Sequence, residues 1–468
     1  GPGMSDRDYP AYDPLAALVV LATLAISLGW SPSVRVIRSI TLIGLSGALL
    51  LMYLKYVIPY DFKLFRIAGL DLWKGLNVYQ PHDGPDSQRP LNPPTAWPLF
   101  ELFACSSLRH SARVWSVLNA LGSLLLVPLA ARALQAQDAS APLPSRPVLG
   151  LLSAAVALSN ATCSGLALGQ LSLLGSLAIF AALWAHGASR PGLAGMFLAL
   201  ATPKPATLLP FLLLFGRRKD LPVWVSLSAT SLCLILASGQ AAEVPARLRD
   251  NLLLIAQMAA PGQVNDYSYA GESHLSLIGF DHALFRLGLR DRGIIRALNG
   301  LLTLTLSVAV ARLVLSRRFE RSAKCSIVSI FALLFLYHRV YDAVLLALPL
   351  VFVVGQAQAR CPGRYAFAAS AAALLAVLFA FPELFRPLEH WAFAHPRLGW
   401  VVEALVLPSA TWLALGALAA CGLGVRAQSR RDHPLLSTSR STSLMRLAKT
   451  SRPNRAAWFR PFSIHEAR

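Results

Sequence analysis

Three short stretches carry side chains whose types and spacing suit chemistry at a membrane surface. The first is Pro59-Tyr60-Asp61-Phe62-Lys63-Leu64-Phe65-Arg66, where an acid directly follows an apolar run and Lys63 and Arg66 are three residues apart, on one helix face. A carboxylate in contact with a hydroxyl can take its proton as a general base. On spacing alone the same residues also suit an interfacial helix with a solvated acid and snorkelling cations. The second is Leu168-Gly169-Gln170, followed by Pro203-Lys204-Pro205, in which a lysine sits where two prolines interrupt an apolar stretch. With no evident partner for the ammonium, this spacing offers an anion site built from helix N-terminal amides and a point charge. The plainer alternative is a lysine reaching a headgroup phosphate. The third is Tyr337-His338-Arg339-Val340-Tyr341-Asp342, where the spacing of four predicts His338 and Asp342 on one helix face, the carboxylate orienting the imidazole for proton transfer. A polar helix cap at the membrane surface would use the same residues.

Other chemistries lack their signatures. There is no phosphate loop, HExxH pair, nucleophile triad or dinucleotide fingerprint in a credible context. Cys105, Cys163, Cys233, Cys325, Cys361 and Cys421 are scattered and suggest neither a metal knuckle nor a disulfide framework. No metal and no cofactor are expected.

The elements that must position these residues follow from composition. The chain has 468 residues, of which 55% are hydrophobic and 14% charged, and its mean hydropathy is +0.53. A soluble domain carries about a quarter charged residues, and a disordered one needs low hydrophobicity and high charge. Both are excluded, and an all-α polytopic membrane protein remains. Apolar runs long enough to cross a bilayer lie near 15–30, 39–58, 114–131, 148–166, 171–187, 221–238, 295–315, 326–341, 343–357, 366–381 and 401–422. A broken pair of short helices is expected at 192–216, with Lys204 near its apex. That is about 11 full spans plus the broken pair in one domain, 15–424, behind an N-terminal segment 1–14 whose Gly1-Pro2-Gly3 reads as residual cloning sequence.

Net charge is +20; in a membrane protein this points to cytoplasmic loops and anionic headgroups rather than nucleic acid. Short-loop positives such as Arg35, Arg190, Arg217, Arg218, Lys219, Arg317, Arg318 and Arg321 fall on one side, taken as cytoplasmic. The longer loops 59–113 and 239–294, and all three candidate stretches, then face outside, while the basic segment 425–468 is a cytoplasmic, disordered tail against membrane lipids. No internal repeat is visible, which disfavours a transporter. A lipid-linked sugar transporter or flippase nevertheless stands as the alternative to an enzyme, because it too would place charges inside the membrane.

In this order the stretches resemble glycosyltransferase family 87, C-type integral-membrane enzymes that use polyprenyl-phosphate sugars. The resemblance runs from about 58 to 350 through Asp61 to Arg66, Gly75, Tyr79, Asn92-Pro93-Pro94, Gly169-Gln170, Gly192 to Lys204-Pro205, Ser268-Tyr269, Glu272-Ser273-His274-Leu275-Ser276-Leu277, His338 and Tyr341-Asp342. The chain departs from the family pattern at Asn92, where an aromatic is common, and at Glu272-Ser273-His274. The resemblance implies a C-type glycosyltransferase helix bundle in a bacterial cytoplasmic membrane, with an external site fed by a lipid-linked mannose or arabinofuranose donor. It implies a glycolipid or cell-envelope glycan as acceptor and Asp61 as general base, with His338 as the second catalytic residue. Lys204, Lys63, Arg66, Gln170, Tyr341, Asp342, Glu272 and His274 are expected to bind substrate. One carboxylate acting as base, without a second as nucleophile, gives transfer with inversion.

Overall fold

Helix is the local solution almost throughout, because a backbone in lipid must satisfy its own hydrogen bonds. The computed structural model describes residues 59–80, 89–239, 241–271, 274–336, 338–359 and 361–432. The expected spans at 15–30 and 39–58, the basic tail beyond 432, and Glu272 lie outside the described residues.

Among the described residues, five helices are long and apolar enough to cross a membrane: Leu108–Gln137, Arg218–Ala237, Arg292–Leu315, Val340–Gln358 and Ser409–Ser429. The run read as one span at 148–166 is two helices, Arg146–Ala157 and Asn160–Leu168, bent by 48°. The bend has a local cause: Ser159 is extended and its hydroxyl caps the second helix, accepting from the Thr162 amide at 3.3 Å. Ser172–Gly187, Pro191–Ala201, Pro205–Phe215 and Arg364–Leu378 are shorter apolar helices. Two further boundaries differ from the hydropathy reading. The helix Arg321–Leu334 stops short of His338, and the last helix begins at Ser409 after a π-helical stretch, Val402–Val406.

Burial separates the bundle centre from its lipid face. The Val340–Gln358 segment is 94% buried and forms the axis, whereas Arg292–Leu315 is only 11% buried. Leucines that such a peripheral helix turns outward, among them Leu301 and Leu304, belong against lipid tails. Inside, small residues allow close packing. A side chain on Gly195 would meet the Val223 carbonyl at 2.3 Å, so Pro191–Ala201 and Leu221–Ala237 pack backbone to backbone there.

A second, smaller apolar cluster holds the segment between Tyr60 and Trp115. Phe62 and Phe65 of the helix Tyr60–Trp73 pack with Trp97, Phe100, Phe103 and Trp115. This aromatic cluster fixes the short helix that carries Asp61. Two-residue strands, Leu277–Ile278 and His338–Arg339, pair antiparallel with Ile278 opposite His338. They tie the segment after the helix Val244–Met258 to the site.

Candidate active site

Asp61 is the second residue of its helix, where an acid suits the N-terminal end of the dipole. Its partner is delivered by a glycine. Gly169 ends the helix Asn160–Leu168 with φ +73°, and a Cβ there would stand 2.8 Å from Pro59 Cβ and 2.9 Å from Phe62 Cβ. Both the left-handed turn and the close approach require glycine. Trp115 Nε1 donates to the Gly169 carbonyl at 3.0 Å, and the next side chain, Gln170, donates its Nε2–H to Asp61.

Asp342 is the hub beside this pair. Lys204 Nζ donates to its Oδ1 at 2.7 Å, and Ser172 Oγ donates to the same oxygen at 2.5 Å. Its Oδ2 takes His338 Nδ1 at 3.2 Å and the Arg339 amide at 3.3 Å. Lys204 also lies over the Tyr341 ring, 4.6 Å from its centre. The expectation that Lys204 lacks a partner is therefore corrected: the sequence distance of 138 residues hid an ion pair. The helix-terminal anion site is corrected too. The turn after Lys204 is four residues long, and the Thr207 and Leu208 amides are spent on the Lys204 carbonyl.

His338 and Asp342 meet as expected, but not on a helix face. His338–Arg339 is a strand and Val340–Leu346 a 3-10 helix, and the strand-to-helix turn folds Asp342 back under His338. Nδ1–H donates to the carboxylate, which leaves Nε2 on the opposite side of the ring. Nε2 is buried and has no hydrogen-bond partner among the described residues.

Electrostatics separate the two acids. Asp61 lies outside the apolar helices, and burial pushes its carboxyl up from 3.8 to about 6, against the charges of Arg339 and Lys204. It is thus ionised at neutral pH yet more basic than an ordinary carboxylate, as a general base should be. Asp342 faces four donors and has no such freedom.

The remaining expected residues separate from this cluster. Arg66 shares the Asp61 helix but donates to the Ser106 carbonyl, at 3.0 Å from Nη2, and Lys63 is half-buried on that helix. His274 belongs to a second polar group, where its Nε2 meets Glu389 at 3.0 Å. Glu389 also takes Arg286 Nη2 at 2.6 Å; Arg286 Nε donates to His282 Nε2 at 3.3 Å, and His282 Nδ1 donates to the Leu277 carbonyl at 3.2 Å. Burial, with the Arg286 and His274 charges, lowers His282 to about 3, so it stays neutral as these two bonds require. This network holds the strand that pairs with His338, so His274 supports the site from behind.

Arg339 and Ser172 are site residues that the sequence did not single out. Arg339 was visible as a cation beside His338, and its Nη2 anchors to Asn265 Oδ1 at 3.0 Å while its charge reaches Asp61. Ser172 gave no signal beyond following Gln170. Among the described residues no group of three or more His, Cys, Asp or Glu could hold a metal ion.

Apolar helices around a buried, ion-paired polar centre define an all-α membrane protein whose site is assembled from broken helices and the segments that join them. The chain belongs to glycosyltransferase family 87, whose model matches residues 91–336, more than half its length. Gln170, Lys204 and His274 fall inside the matched stretch; Asp61, His338, Tyr341 and Asp342 lie beyond its ends. No curated protein matches the chain.

Proposed function

We propose that this glycosyltransferase moves a sugar, mannose or arabinofuranose, from a polyprenyl-phosphate donor to a hydroxyl of a glycolipid or cell-envelope glycan. The site faces outside in a bacterial cytoplasmic membrane, on the side opposite the short-loop positives. The observation that carries the reading is the division of labour between two carboxylates of one site. Asp61 has one amide donor and a raised basicity, whereas Asp342 is tied by Lys204, Ser172, His338 and the Arg339 amide.

Asp61 takes the acceptor proton as the hydroxyl oxygen bonds to the anomeric carbon. The bond from that carbon to the phosphate oxygen breaks, and a phosphodiester leaves as a phosphomonoester with one more negative charge. Lys204 and Arg339 are the cations that stabilise this charge. Asp342, held by four donors, is a poor nucleophile, so displacement is direct and inverts the anomeric centre. Asp342 also holds the His338 ring through Nδ1, and His338 assists from beside the acceptor or the phosphate. A donor already charged with its sugar needs no nucleotide site, in keeping with the missing phosphate loop.

The test is incubation of purified protein with polyprenyl-phosphate mannose and, separately, polyprenyl-phosphate arabinofuranose, with mass detection of new glycolipid and the anomeric configuration read by NMR. A product of inverted configuration supports the reading, and a retained configuration overturns the direct displacement. Donor crossing proteoliposome membranes without new covalent product would instead make the protein a flippase.

A further inference from the structure

The proposed chemistry leaves one stretch unused, Asn92-Pro93-Pro94, yet its first side chain reaches the turn that carries Lys204. Asn92 Nδ2 donates to the Pro203 carbonyl at 2.9 Å, across 111 positions of sequence. That carbonyl has a specific need. Continued α-helix would offer it the Thr207 amide, but Thr207 and Leu208 both bond to the Lys204 carbonyl, at 3.1 and 3.2 Å, and Pro205 has no N–H to give. A carbonyl without a donor in an apolar setting is costly. Asn92 supplies the donor from the first external loop.

Asn92 is itself held firmly. The Asn251 side chain donates to the Leu91 carbonyl at 3.2 Å, and the Tyr79 hydroxyl donates to the Asn92 carbonyl at 2.7 Å. Trp97 Nε1 in turn donates to the Tyr79 oxygen at 3.2 Å. The backbone on both sides of the Asn92 side chain is therefore fixed, which makes the amide a strut. Lys204 follows Pro203 directly, so the orientation of that carbonyl sets the peptide from which the ammonium reaches Asp342.

We propose that Asn92 is a positioning residue for Lys204, holding the Pro203 carbonyl so that the ammonium is presented to the donor phosphate. This rests on Lys204 as the phosphate-binding cation. The test uses the full chain in lipid nanodiscs, with farnesyl phosphate as the probe. Asn92→Leu keeps similar volume and removes the donor, and it weakens farnesyl phosphate binding about threefold to tenfold, the worth of one net hydrogen bond. The same change in a Lys204→Ala background costs nothing further, and Asn92→Gln, which retains the amide, recovers part of the affinity. Amide hydrogen exchange in segment 201–208 accelerates in Asn92→Leu. If Asn92→Leu does not fold, Asn92→Ser, too short to reach Pro203, carries the same expectations.

Unchanged affinity in Asn92→Leu, or an equal loss when Lys204 is already absent, overturns the proposal. Wild-type affinity in Lys204→Ala sinks the phosphate reading by itself. The strut is then judged by exchange: acceleration confined to 201–208 sustains it, and unchanged exchange overturns it.

Discussion

Replacing Asp61 by Asn should abolish transfer and, at neutral pH, make the protein more stable. The variant keeps the shape of the side chain and an oxygen for Gln170 to donate to, so the aromatic cluster around Phe62 has no reason to move. What it loses is the basic carboxylate, and general-base loss costs about 10²–10⁴ in rate. The stability gain follows from the same burial. A carboxyl raised from 3.8 to about 6 is one the fold prefers protonated. Native stability is therefore full below about pH 4 and falls as pH rises through about 6, where the buried group ionises. The shift corresponds to about 3 kcal/mol at roughly 1.36 kcal/mol per pH unit. Asp61 keeps partial exposure, and solvent screening reduces the expected gain to about 1–2 kcal/mol.

The assay is thermal unfolding of both proteins in one detergent at pH 4 and pH 7.5, beside turnover in nanodiscs. The melting temperatures should coincide at the lower pH and separate at the higher, with Asp61→Asn above wild type. Wild-type kcat/KM should show an acid limb near pH 6, because it reports the free enzyme's base. Turnover of Asp61→Asn within a few-fold of wild type would remove Asp61 from the chemistry. A stability difference that does not change with pH would refute the burial argument even if turnover were lost.

Three further outcomes follow from the same geometry. Lys204→Ala should weaken donor binding by about 2–5 kcal/mol, the usual cost of removing a buried hydrogen-bonded charge, with Lys204→Arg retaining part; titration with farnesyl phosphate reads this directly. Glu389→Ala leaves Arg286, 2% exposed, without its carboxylate, and should cost about 3–5 kcal/mol of stability, seen as a lower melting temperature, whereas an unchanged one would deny the network its role. For orientation, Asp83→Cys should react with an impermeant maleimide from outside and Arg440→Cys should not, in a background cleared of native cysteines because Cys105 is exposed; the reverse pattern would turn the site to the cytoplasm.

Composition and hydropathy were enough to establish the membrane class, because 14% charged residues cannot cover a soluble surface of this length. The order of the motifs led to the family, and Asp61, Gln170, Lys204, Tyr341, Asp342 and His338 do gather in space. Their partnerships were not legible. Lys204 and Asp342 are 138 positions apart, and helical periodicity relates only near neighbours. Even the local pair His338 and Asp342 was placed on the wrong element, since a spacing of four fits a helix and a strand-to-3-10 turn alike. Hydropathy also overran the helix ends, because it measures apolarity and is blind to the Ser159 cap that bends one run by 48°. Which cation pairs with Asp342, how many donors each carboxylate meets, and which side chain reaches the Pro203 carbonyl were decided by tertiary packing. These depend on long-range contacts that bury each charge against a particular partner, and a one-dimensional pattern does not encode them.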